Sequence, residues 1–165
     1  MAYSVHTLAG AQPIADTSTT QKHVLGTIVR GSDPTYGEGE FIYMLGVAST
    51  VVGSLVTYDA TTWQTALTTH VPVQARTVAV AMSANVASAY GWYQISGMAV
   101  IKKTAVLIGA QVTLALGLTA GRVKGTSTSG MQIAGCRSAN LATISATVSV
   151  ITAHINRPHL QTMIT

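Results

Sequence analysis

A chain of 165 residues, 48% hydrophobic and only 8% charged, can bury about 70% of its unfolded surface in one domain without a disulfide or metal staple. Soluble domains usually carry about 25% charged residues, so Ser, Thr, Gln, Asn and Gly must supply this surface. Such groups desolvate at less cost than ions when another protein covers them. The net charge of +4 reflects scarce acids (Asp16, Asp33, Glu38, Glu40, Asp59) more than abundant bases, and the bases lack the interleaved aromatics of a nucleic-acid platform.

The first 24 residues hold few large apolar side chains and a Thr-Ser cluster from Asp16 to Thr20. They predict an extended arm that gains order only by lying on another surface. From Met1 to Ala15 there is neither a basic start nor a continuous apolar run, so no secretory signal is expected. Val24 to Arg30 alternates briefly, and GSDPTYGEGE then reads as a loop around Asp33-Pro34. Phe41 to Leu45 and Ser54 to Tyr58 read as strands and as partners of each other. Trp63 to Thr69 is ambiguous, and Val71-Pro72 breaks the pattern.

The stretch from Arg76 to Val100 carries the clearest signal, two β-type runs around a small-residue connector. Val78, Val80 and Met82 share one side of the first run, while Trp92, Gln94 and Ser96 lie opposite Tyr93, Ile95 and Gly97 on the second. Apolar spacing by three and four is absent, so neither run reads as a helix. Ala84 to Tyr90 predicts at most one helical turn, with Asn85 as its cap, and Gly97 predicts a bulge. Val106 to Leu116, Gly121 to Lys124, Met131 to Arg137 and Ile144 to Asn156 follow as strands, with a polar loop over Gly125 to Gly130. The longest apolar run, Ala105 to Leu118, is too short for a membrane-spanning helix. Arg157-Pro158 should end the last strand, because proline withdraws a ladder donor. The fold class expected is all-β: a single antiparallel β-sandwich or barrel, jelly-roll-like, over 25–158, with an arm at 1–24 and a tail at 159–165.

Catalysis needs convergent titratable groups, and none are visible. Glu38 and Glu40 read as a solvated pair in a glycine-rich turn rather than an acid and a base in different environments. His6, His23, His70, His154 and His159 never recur at metal-ligand spacing, although His154 and His159 flank a proline. The single cysteine, Cys136, excludes an intrachain disulfide and reads as a small buried hydrophobe. No nucleophile elbow, phosphate loop or dinucleotide fingerprint occurs. The reading is a non-enzyme with no catalytic residue, cofactor or metal.

Three segments in this order, GEFIYMLGVASTVVGSLVTYD, VAVAMSANVASAYGWYQISGMAV and AHINRP, resemble the head decoration, or cement, proteins of tailed bacteriophages over Glu40 to Pro158. The resemblance implies a structural virion protein, made in the host cytoplasm and bound to the outer surface of the capsid. It implies a homo-oligomer that joins neighbouring major capsid proteins against internal DNA pressure, and of the two arrangements open to it a trimer is favoured over a dimer. Direct nucleic-acid and membrane contacts are not expected. Tyr3, Val5 and His6 of the arm, with Trp92, Tyr93 and Arg157, are the candidate capsid or subunit contacts, and removing residues 2–20 should leave the body folded. The alternative from the residues alone is a glycan-binding β-sandwich displayed on a virion or cell, with Trp92, Tyr93 and Tyr90 as a stacking surface.

Overall fold

Twelve strands and no helix make up the regular structure of the described residues, 3–6, 8–70, 75–125 and 130–161, of this computed structural model. The break at Val71-Pro72, positions 126–129 of the polar loop and positions 162–165 of the tail lie outside those residues. In chain order the strands are β1 (Ser4–Val5), β2 (Thr17–Ser18), β3 (Ile28–Asp33), β4 (Gly37–Leu45), β5 (Leu55–Tyr58) and β6 (Thr65–Leu67). They continue as β7 (Thr77–Ala81), β8 (Tyr90–Lys102), β9 (Thr113–Leu116), β10 (Val123–Lys124), β11 (Gln132–Ser138) and β12 (Val150–Leu160). All ladders are antiparallel and join one open sheet, ordered β1-β3-β4-β8-β7-β12-β11-β9-β10, with β5 and β6 branching from β7. The architecture is β-sandwich-like, as the sequence predicts.

β8 organises the molecule. Its first half pairs with β4 and its second half with β12, from Ser96 opposite Asn156 to Lys102 opposite Val150. The register against β4 slips by one residue between Glu40 and Phe41, and Gly97 follows at φ 98°. An added Cβ there would meet the Glu38 carbonyl oxygen, so the close approach of β4 requires glycine. The bulge expected at Gly97 lies instead at Ile95, the residue skipped between Gln94 and Ser96, while Gly97 itself stays in register opposite Gly39 and Ile155.

Three apolar clusters fill the interior. Val78, Val80, Ala99, Ile101, Leu114, Ile133, Cys136, Ile151 and Ile155 belong to the largest, which joins β7, β8, β9, β11 and β12. Phe41, Tyr43, Trp92, Met82, Val29, Tyr3 and Ile14 form a second, and Ile42, Met44, Val56, Ala79, Ala81, Tyr93 and Ile95 a third. Alternate residues of β4 and β8 thus enter different clusters, because both faces of the central strands are covered.

Four local expectations are corrected. Glu38 to Glu40 belongs to β4 rather than to a loop: Asp33 Oδ1 accepts from the amides of Thr35 (2.8 Å) and Tyr36 (3.0 Å), closing a tight hairpin that sets Glu40 opposite Arg30. The run Ser54 to Tyr58 pairs with β6 and β7, not with the Phe41 to Leu45 run, whose neighbours are β3 and β8. Ala84 to Tyr90 forms no helical turn, since Asn85 is buried and hydrogen-bonded to the Tyr93 hydroxyl instead of capping backbone amides. Finally, the last strand runs through Pro158 to Leu160. Asn156, Arg157 and Pro158 stand opposite the single residue Gly135, and within this bulge no ladder donor is required of the proline.

Candidate functional site

The aromatic pair picked out in the sequence lies inside the protein. Trp92 and Tyr93 are both fully buried, on opposite sides of β8. The Trp92 ring meets Tyr43 edge-on at 5.0 Å, and its Nε1 donates to the Gln12 carbonyl at 2.9 Å. The Tyr93 hydroxyl accepts from Asn85 Nδ2 at 2.5 Å and lies 3.5 Å from Thr65 Oγ1, and burial raises its pKa. Neither ring has a free face for a sugar or a partner. Tyr90, half-buried, is stacked on Tyr43 at 6.2 Å. The stacking surface proposed for a glycan is therefore not assembled.

The arm lies on its own body. Tyr3 is 8% exposed, packs edge-on against Phe41 at 4.8 Å and donates its hydroxyl to the Met98 carbonyl at 2.8 Å. Burial raises the pKa of that hydroxyl. Val5 pairs with Gly31 and packs on the same cluster, whereas His6 stays exposed, with Nε2 2.6 Å from Ser32 Oγ. Ile14 is buried beside Trp92, and Thr17 and Ser18 pair with Gly91 and Tyr90. Of the three arm candidates, only His6 is exposed.

Arg157 is exposed and turns toward β4, where its Nη2 lies 3.0 Å from Glu40 Oε2. Arg30 approaches the other carboxylate oxygen at 3.4 Å, so Glu40 sits between two guanidinium groups. In the ladder, Arg30 pairs with Glu40, Glu40 with Ser96 and Ser96 with Asn156, which makes this one continuous row across β3, β4, β8 and β12. A neighbouring row runs Met98, His154, Arg137, Thr113 across β8, β12, β11 and β9. On β12 the inward residues Ile151, Ala153 and Ile155 are buried, while His154 and Asn156 are exposed, as is Arg137 on β11. A shallow groove of about 410 Å³ follows these strands, lined in part by Thr113, Gln132, Arg137, His154 and Asn156.

Arg137 has no ion pair among the described residues. Sequence reading passed over it because it sits in no motif. The signal available was the acid count: residues 60–165 contain seven Lys and Arg and no Asp or Glu. His154 and His159 share this polar side as exposed residues, and their strand partners are Arg137 and Ala134, not each other.

Two other groups are chemically distinctive but enclosed. Lys103 is fully buried, and its ammonium donates to the carbonyls of Thr104 (3.1 Å), Ser145 (3.1 Å) and Val148 (2.9 Å), tying the end of β8 to the segment before β12. Desolvation lowers its pKa. Cys136 is a free, buried thiol, its pKa pushed up to about 12 by burial, so it carries no thiolate near neutrality. Among the described residues no three His, Cys, Asp or Glu side chains group as a metal site, and no helix is long and apolar enough to cross a membrane. Compared with protein-family models, curated proteins and solved structures, the chain matches none.

Proposed function

We propose that this is a structural virion protein, a capsid cement subunit that binds the outside of an assembled phage head and joins neighbouring major capsid proteins. The observation that carries the reading is the spatial unity of the three segments that resemble cement proteins. They supply β4, β5, β7 and β8 and the bulged part of β12, the contiguous centre of the sheet rather than scattered surface strands. The rest of the molecule suits a non-catalytic role: Tyr3, Phe41, Tyr43, Trp92 and Tyr93 are buried, the thiol is buried, and the outward faces of β11 and β12 carry Thr, Asn and Gln with few ions.

The mechanism is linkage. A subunit that binds the expanded shell, and not its precursor or its free components, lowers the free energy of the expanded state by its own binding free energy. Repetition over the lattice then adds many modest contacts, and self-association into a trimer would multiply them further. The test is co-sedimentation of the purified protein with undecorated expanded heads of the phage that encodes it. Saturable binding, with a higher rupture temperature for DNA-filled heads, is the expected result. Protein left in the supernatant at saturating concentration would end the proposal.

A further inference from the structure

Residues 60–165, which contain no Asp or Glu, put one guanidinium without an ion pair among the described residues, that of Arg137, on an open sheet face. Seven Lys and Arg lie within residues 60–165, and none has an acid within that segment to pair with. Among the chain's five acids, three are engaged locally. Asp33 caps the β3–β4 hairpin, Asp59 accepts from the amides of Thr61 and Thr62, and Glu40 lies between Arg30 and Arg157. Only Asp16 and Glu38 remain, too few to neutralise the second half by pairing one copy with another. The sheet also ends, along its main path, in strands of two residues each, β1 and β10. Such short edges offer little to strand addition and leave a face as the surface for association.

We infer that the outward face of β11 and β12 is a docking surface for an acidic patch of a partner protein, with Arg137 donating to a carboxylate at its centre. The inference rests on the cement reading in taking that partner to be the assembled shell, and it identifies the side of the subunit that meets it. A guanidinium binds a carboxylate through two parallel hydrogen bonds. Thr113, His154 and Asn156 line the groove beside Arg137 and add hydrogen-bonding side chains of the kind a protein interface accommodates. A nucleic acid fits less well. Its backbone carries one charge per about 1.7 Å of duplex and is held by several cations together, whereas this groove offers one guanidinium and no Phe, Tyr or Trp.

Two variants with the same net charge test the inference. Arg137→Glu reverses the charge on the proposed face, and Lys22→Glu reverses an exposed charge on the arm. In co-sedimentation with undecorated expanded heads, Arg137→Glu is expected to weaken binding by about ten-fold or more, the scale of one lost charge pair. Lys22→Glu should stay within about two-fold, and circular dichroism should show both variants folded. Equal binding by both variants and the wild type would overturn the assignment of the face while leaving the cement reading intact. If the wild type binds no heads, the cement reading fails, and poly-L-glutamate then decides the surface chemistry. Salt-sensitive binding lost in Arg137→Glu supports the acidic partner, and no binding overturns it. Tighter binding to a short DNA duplex than to poly-L-glutamate, also lost in Arg137→Glu, would assign the face to nucleic acid and overturn the inference as well.

Discussion

Asp59 shows how much one half-buried surface residue can organise. Its Oδ1 accepts from the Thr61 amide and hydroxyl and from the Thr62 amide, closing the turn between β5 and β6. These donors, first the Thr61 hydroxyl and then the amides, lower its pKa from 3.8 to about 2. With the folded value below the unfolded one, the stabilisation is fully present above about pH 4 and is lost as pH falls through about 2. The stability difference between wild type and Asp59→Ala should therefore shrink steadily between those limits, as read from urea midpoints; a difference constant down to pH 2 would refute the role. Cys136 makes a second residue-scale prediction. Being buried and protonated, it should react with a thiol reagent at pH 8 only at the rate of unfolding, and denaturant should release rapid labelling. Immediate labelling of the native protein would contradict its placement. Its burial was legible from its place in an alternating run, whereas the identity of Arg137 as an unpaired exposed cation was not, because pairing depends on where distant acids fall in the fold.

At the scale of elements, the alternating runs of β7, β8 and β12 were legible because period-two patterning survives burial of one or both faces. The hairpin from Ile28 to Leu45 was hidden. Its glycines and charges look like a loop, and only the Asp33 turn with Gly37 at φ 73° brings Glu38 and Glu40 into a ladder. The true partners of β5 were hidden as well, since local patterning specifies a strand but not its neighbour. Gly97 gives a sharp test of the close approach of β4 to β8. Gly97→Ala combines an unfavourable φ with contact against the Glu38 carbonyl oxygen and should cost about 3 kcal/mol or more. Gly37→Ala shares the positive φ but meets no atom within 4 Å, so it should cost only about 1 kcal/mol. Equal losses in thermal or urea unfolding would discount the close approach.

The arm is the element whose expected behaviour changes most. Sequence alone makes it dispensable for folding, because it has too little apolar surface to order by itself. The structure gives it a surface on the same chain: Tyr3 and Ile14 are buried beside Phe41, Tyr43 and Trp92, and the Gln12 carbonyl accepts from Trp92 Nε1. Removing residues 2–20 should destabilise the body by about 3–6 kcal/mol, from about 1.5–3 kcal/mol for each of those two side chains. Calorimetry of the truncated protein checks this, and an unchanged unfolding temperature would show that the arm contributes nothing to the fold.

On the scale of the whole molecule, charge is distributed in a way that no single strand reveals. All five acids lie within the first 59 residues, while seven of the nine Lys and Arg lie after them. The fold follows that division in part: β3 and β4 hold Asp33, Glu38 and Glu40 near one end of the sheet order, and β11, β9 and β10 form the other end without an acid. The surface proposed for association is the weakly charged face of β11 and β12 around Arg137. Repeated over a capsid lattice, such a face can hold a subunit through many modest contacts without catalysis or strand exchange. Cryo-electron microscopy of the native virion tests this most directly. Regular density on the outer surface, fitted by this chain with the β11–β12 face toward the shell, is the predicted result. An outer surface without density that this chain fits would contradict the account.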